Sequence, residues 1–272
     1  MAIFDTKVQE LKYKVLKEIA KASFNDTLLE EYNDIPLRIV PGPHPTMRCC
    51  IYKERAIVLE RMKLALGGNK NINNVIEVIK IACDDCPLGG YEVTNRCRGC
   101  IAHNCSTACP RDAISFDPIT RSARINKDRC VNCGLCARAC HYSAIQNYQR
   151  PCETACKLKA ISMDNDHLAM INDEKCIQCG ACVEQCPFGA IMDKSYITHV
   201  IKLLKEKKNE HVYAVVAPSI AAQFKGVKLE QVITGIKELG FDDVFEAALG
   251  ADMVSYKESK ELSEKGFLTS SC

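Results

Sequence analysis

Sixteen of the chain's cysteines fall between residues 83 and 186. Two runs are regular: Cys130, Cys133, Cys136 and Cys140, then Cys176, Cys179, Cys182 and Cys186, each spaced C-x2-C-x2-C-x3-C. Three thiolates two residues apart on one tight loop reach three corners of a 4Fe–4S cubane. The fourth cysteine sits on the departing helix and points towards a second cluster. Gly134 and Gly180 follow the second cysteine of each run and let the loop backbone approach such a core. Zinc is usually held by two separated C-x2-C hooks on one ion, so three consecutive hooks fit it poorly.

A third run, Cys97, Cys100, Cys105 and Cys109, has two extra residues in its loop and keeps the same logic. An internal repeat then becomes visible, C-x3-C-x3-A-I, starting at Cys105, Cys136 and Cys182. A fourth copy, Cys152, Cys156, Ala160 and Ile161, lacks its own upstream hook, and the spare pair is Cys83 and Cys86. Sixteen thiolates supply four cubanes with four ligands each. The exchange rule predicts one cluster on Cys130, Cys133, Cys136 and Cys186, and another on Cys176, Cys179, Cys182 and Cys140. By extension the third takes Cys97, Cys100, Cys105 and Cys156, and the fourth Cys83, Cys86, Cys152 and Cys109. For the last four cysteines a zinc site or buried free thiols is the competing reading. Pro110 and Pro187 follow the last cysteine in two copies, whereas His141 and Lys157 stand there in the others. A cation beside a cluster favours its reduced, more negative state. A ligand role for His141 is the weaker alternative. Cys49 and Cys50 point in different directions as sequence neighbours and read as small buried hydrophobes, with metal ligation as the alternative.

The elements that carry these residues follow from composition and periodicity. The chain has 272 residues, 19 cysteines, no tryptophan, 47% hydrophobic and 6% aromatic residues, and a formal charge of +2. That balance is not the strongly basic one of a nucleic-acid binder. An odd cysteine count and a charged N-terminal stretch without an apolar leader argue against a secreted disulfide scaffold and for a cytoplasmic, reducing setting. No apolar run is long enough to span a membrane. Val8, Leu11, Val15, Ile19 and Ala22 predict a first amphipathic helix, capped by Asp5 or Thr6. A proline-rich connector over 35–45, a helix over 52–66 ending at Gly67-Gly68 and a third helix over 74–82 complete a helical front layer. A basic linking helix is expected over 195–208. The order beyond it is strand (212–216), helix ending at Gly240, strand (241–245) and helix (251–265), an α/β unit with parallel strands. The fold class is therefore α+β, with a helical region over 1–82, a cluster domain over 83–194, and a linker helix plus incomplete α/β segment over 195–272.

The region 83–191 resembles the dicluster and polyferredoxin modules of electron-transfer proteins, and its repeat looks like that of the four-cluster subunits of molybdenum oxidoreductases. Val215-Val216-Ala217-Pro218-Ser219 resembles the opening of the catalytic domain of FeFe-hydrogenases. Thr234-Gly235, Leu239-Gly240-Phe241-Asp242, Val244-Phe245, Gly250-Ala251-Asp252, Glu258 and Glu261-Leu262 look like its following segments. Thr269-Ser270-Ser271-Cys272 resembles the start of its first H-cluster motif. The resemblance implies the N-terminal, electron-input portion of a clostridial-type enzyme with extra clusters, from an anaerobic setting. Its partners would be a ferredoxin-like or other redox protein and a catalytic hydrogenase domain or subunit. The 61 residues from Val212 are too few for that catalytic domain. The expectation is therefore a gene product or fragment that binds clusters without catalytic turnover of its own. The alternatives are a hydrogenase whose chain continues past Cys272, and a stand-alone polyferredoxin subunit of another oxidoreductase. Each oxidised cubane with its four thiolates carries about −2, so four would take the holoprotein to about −6.

Overall fold

A computed structural model of the chain describes residues 4–87, 89–207, 210–224 and 226–266. The motif ending at Cys272, with Phe267 and Leu268, and the first three residues lie outside the described residues. The chain divides into two compact units, one of Met1–Asn69 with Lys194–Cys272 and one of Lys70–Asp193.

The first unit opens on α1 (Lys7–Phe24), where the Thr6 hydroxyl accepts the Gln9 N–H as its cap. Leu11, Val15, Ile19 and Ala22 form its buried stripe, as the spacing predicts, while Val8 stays partly exposed. Two short helices follow, α2 (Leu28–Glu31) and α3 (Ile35–Ile39). The second replaces the start of the expected connector. Pro36 occupies its first turn, where a missing N–H costs no helical hydrogen bond. Helix α4 (Ile51–Ala65) ends as expected, with the Gly68 N–H bonding the Lys63 carbonyl. Leu11, Val15, Ile19, Ile35, Val40, Val58, Met62 and Ala65 make one aliphatic core. Glu54 is buried on α4, and its carboxylate accepts the backbone N–H groups of Thr46, Met47 and Arg48, which fixes the loop before the helix.

The second unit alternates very short elements. In chain order they are β1 (Ile76–Val78), α5 (Lys80–Cys83), β2 (Gly90–Val93), α6 (Asn104–Thr107), β3 (Ile114–Phe116), β4 (Ala123–Ile125), α7 (Leu135–Ala139), β5 (Ile145–Tyr148), α8 (Pro151–Ala155), β6 (Ile161–Met163), β7 (Ala169–Ile171), α9 (Ala181–Gln185) and β8 (Ile191–Asp193). The strands pair antiparallel as β1–β8, β2–β5, β3–β4 and β6–β7. The third helix expected over 74–82 is thus a strand followed by one helical turn. Ile76 and Val78 pair with Asp193 and Ile191, a partner too distant in sequence for local periodicity to reveal.

The chain then returns to the first unit. Helix α10 (Ile197–Glu206) packs on α1 and buries Ile201. Beyond it lie β9 (Tyr213–Val216), α11 (Ile220–Gln223), α12 (Leu229–Glu238), β10 (Asp243–Glu246) and α13 (Ala247–Lys265). Strands β9 and β10 are parallel, with Tyr213 opposite Asp243 and Val216 opposite Glu246, as the strand–helix–strand order predicts. The Lys207 ammonium joins the segment by donating to the Gly240 carbonyl (2.7 Å) and to Asp242 (3.0 Å). Among the described residues no helix is long and apolar enough to cross a membrane.

Candidate metal centres

Each cysteine run is shaped by the same backbone device. The residue before the second cysteine, namely Gly99, Asn132 and Gln178, is left-handed. So are Gly134 and Gly180, at the positions where close approach was expected. A Cβ on Gly134 would also run into the Tyr91 hydroxyl. In the longer third run His103 takes that left-handed place, and its ring stacks on Phe116 with centroids 3.7 Å apart. The repeat's second half closes in the same way each time. Asp112, Ser143, Lys159 and Gly189, three residues after the last cysteine, are all left-handed. The next residue is a buried alanine in every copy. In three copies its N–H donates to the cysteine sulfur: Ala113 to Cys109 (3.4 Å), Ala160 to Cys156 (3.2 Å) and Ala190 to Cys186 (3.2 Å). The isoleucine that follows begins β3, β5, β6 or β8. The C-x3-A-I signature is therefore a turn that aims an amide at a sulfur and then enters a strand. Such N–H···S bonds are among the protein's levers on an iron–sulfur potential.

The structure brings the sixteen cysteines into four groups. Cys109, Cys130, Cys133 and Cys136 line one small cavity. Cys156, Cys176, Cys179 and Cys182 line another of about 330 Å³. Cys83 and Cys186 lie close enough to Cys86 to raise its thiol, as Cys86 and Cys186 do for Cys152. Cys105 is coupled in the same way to Cys100 and Cys140. Cys97 packs against the buried cluster that contains Cys105 and accepts the Ala123 N–H on its sulfur (3.3 Å). The hooks are as expected, and the exchange is not. Copies adjacent in the chain trade last cysteines, because α6 packs on α7 and α8 packs on α9. Cys140 thus joins the Cys97 loop and Cys109 the Cys130 loop, while Cys156 joins the Cys176 loop and Cys186 joins Cys83, Cys86 and Cys152. The expected exchange between the two most regular runs passed over the copy that lies between them.

Burial governs the thiols. It pushes Cys86, Cys105, Cys136 and Cys182 above the ordinary thiol value and Cys152 up to about 11. A metal-free site therefore holds neutral thiols that must lose protons to bind metal. Groups of four thiols with no histidine or carboxylate among them suit an iron–sulfur core. The His141 ring nitrogen is engaged by the Asn104 amide at 3.1 Å. Cys49 and Cys50 are not the buried pair expected. Cys49 is exposed, and Cys50 caps α4 by accepting the Lys53 N–H on its sulfur, which lowers its thiol below the ordinary value.

Comparison with known proteins agrees with this geometry. Residues 96–144 match the 4Fe-4S dicluster domain, a stretch that contains both runs exchanging Cys109 and Cys140. Residues 169–192 match the 4Fe-4S binding domain, and residues 210–272 the iron only hydrogenase large subunit, C-terminal domain. The chain is similar to the polyferredoxin-like subunit of an aliphatic sulfonate oxidoreductase from Pyrococcus furiosus, 37% identical over 51 residues, covering 19% of this chain and 30% of that one. It is similar to Hydrogenase-2 operon protein HybA of Shigella flexneri, 32% identical over 84 residues, covering 29% and 26%. An uncharacterized ferredoxin of Methanocaldococcus jannaschii is 34% identical over 92 residues, covering 31% and 54%. The chain thus spans between a quarter and about half of the relatives it matches. Residues 96–144 and 169–192 are therefore 4Fe–4S binding sequence, and residues 210–272 are hydrogenase-related.

Proposed function

We propose that the chain is the electron-input module of a clostridial-type iron-only hydrogenase and that its sixteen grouped cysteines hold four 4Fe–4S clusters. The observation that carries this reading is the fourfold grouping of thiols, upstream of a segment that matches the hydrogenase large-subunit domain. When bound, each cluster supplies acceptance and release of one electron. The chain's own residues divide the remaining work. Cys105, Cys136 and Cys182 are the buried anchors of three groups and Cys83 with Cys152 of the fourth, and the repeat's alanines and isoleucines keep water from that side. Cys133 and Cys179 are exposed and mark where two groups come nearest to solvent, so a ferredoxin-like or other redox partner would exchange electrons there. The acceptor or donor at the other end would be a catalytic hydrogenase domain or subunit. On this reading residues 1–82, 83–194 and 195–272 are a helical region, the cluster domain, and a linker with hydrogenase-like α/β structure, working in an anaerobic cytoplasm.

A second reading, a polyferredoxin-type subunit of another oxidoreductase, draws on the sulfonate oxidoreductase relative, whose match is confined to 51 residues. Iron analysis of anaerobically purified protein tests the four-cluster reading common to both. About sixteen irons per chain are expected, and about eight would sink it. Hydrogen evolution when the reduced chain is mixed with a catalytic iron-only hydrogenase domain separates the two. The first reading expects electron delivery to that domain, and the second expects none.

A further inference from the structure

Arg150 is 3% exposed, and its guanidinium sits at the group whose hook is the isolated pair Cys83 and Cys86. It immediately precedes α8, two residues before Cys152. Its Nε donates to the Pro87 carbonyl at 3.0 Å, one terminal nitrogen to the Met163 sulfur at 2.8 Å and the other to the Cys86 carbonyl at 3.4 Å. All three described side-chain partners are neutral. A cation removed from water is strongly disfavoured unless an anion offsets the loss. The acidic side chain beside it is Glu153, whose carboxylate accepts the Arg150 backbone N–H at 3.4 Å, while the guanidinium itself is held on the carbonyls of Cys86 and Pro87.

We infer that Arg150 is a positioning and charge-compensating residue for the cluster on Cys83, Cys86, Cys152 and Cys186, and raises the reduction potential of that cluster. The inference rests on the four-cluster reading above. Two effects combine. The bonds to Cys86 and Pro87 hold the isolated Cys83–Cys86 hook against α8, which supplies Cys152. The buried positive charge also stabilises the cluster's more negative, reduced state. Reduction adds one electron and one negative charge beside a buried guanidinium that cannot lose a proton. Two further sulfurs of this group accept amide protons, Cys83 from Ala169 (3.3 Å) and Cys186 from Ala190 (3.2 Å), which act in the same direction.

The test is an EPR-monitored redox titration of anaerobic holoprotein carrying Arg150→Gln or Arg150→Lys, with iron counted in each sample. In Arg150→Gln with full iron, one of the four reduction steps moves to more negative potential while the other three stay. Arg150→Lys, which keeps the charge, leaves that step near its original position. Four unchanged steps in a fully loaded Arg150→Gln protein overturn the inference. If Arg150→Gln instead loses about four irons, Arg150→Lys decides. Retained iron with an unshifted step supports charge compensation. The same iron loss in Arg150→Lys reduces Arg150 to a loop tether and overturns it. Wild-type protein with about eight irons retires the four-cluster reading itself, an outcome distinct from unchanged potentials at about sixteen.

Discussion

Around α1 and α4 the interior is built from long aliphatic side chains, Leu11, Val15, Ile19, Ile35, Val58 and Met62 among them. Between residues 70 and 193 the buried positions are largely alanine, isoleucine and cysteine, carried on strands of three or four residues and helices of four or five. The alanines and cysteines among them bury little apolar area, and area removed from water is the main force holding a fold together. Such short elements also gain little from local propensity. The helical core can therefore stand on its own packing. On the four-cluster reading the cysteine-rich unit draws its stability from metal, with thiolate–iron bonds replacing the missing hydrocarbon.

The largest effect expected is a split response to iron removal. Anaerobic chelation should abolish amide protection over 70–193 while α1 and α4 stay protected, as read by hydrogen exchange with mass spectrometry. Equal loss in both regions would break the comparison. Next in size is pH. Cys86, Cys105, Cys136, Cys152 and Cys182 have raised thiol values in the metal-free fold, so iron binding must release their protons. Iron affinity should climb with pH, by up to about tenfold per unit for each protonated thiol, and level off above about 11 for Cys152. The same shift has the opposite sign for the metal-free fold. That fold favours the neutral thiol, so this stabilisation is complete below the ordinary thiol value of 9.0 and is lost as pH rises to about 11. Iron titrations and melting curves across that window check both directions.

Smaller effects separate the two kinds of interior further. Met62→Ala removes a fully buried side chain and should cost about 3 kcal/mol in the melting of the helical core, with iron content unchanged. Gly134→Ala should do the reverse. A left-handed residue with a Cβ costs about 1–2 kcal/mol, and here the Cβ also meets Tyr91. Iron bound by the group of Cys109, Cys130, Cys133 and Cys136 should become easier to chelate, while the helical core keeps its melting temperature.

Much of this was legible because it is local. The buried stripe of α1 and the end of α4 at Gly67-Gly68 follow from spacing and glycine conformation. The parallel β9–β10 pair follows from element order. The features that were not legible depend on partners far along the chain or on unusual burial. Strand β1 exists because β8 pairs with it, and α3 forms because Pro36 falls in its first turn. Neither Glu54 nor Arg150 carries any mark of burial in its residue type, since charged side chains are ordinarily exposed.

The division is clearest at the clusters. Residue types and spacing by themselves mark the Cys130 and Cys176 runs as hooks for iron–sulfur cores, since three cysteines two residues apart reach one cubane from a single loop. Tertiary structure alone decided which fourth cysteine completes each group. That ligand leaves its own loop on a helix, and the partner it meets depends on helix packing, α6 with α7 and α8 with α9, which spacing along the chain does not encode.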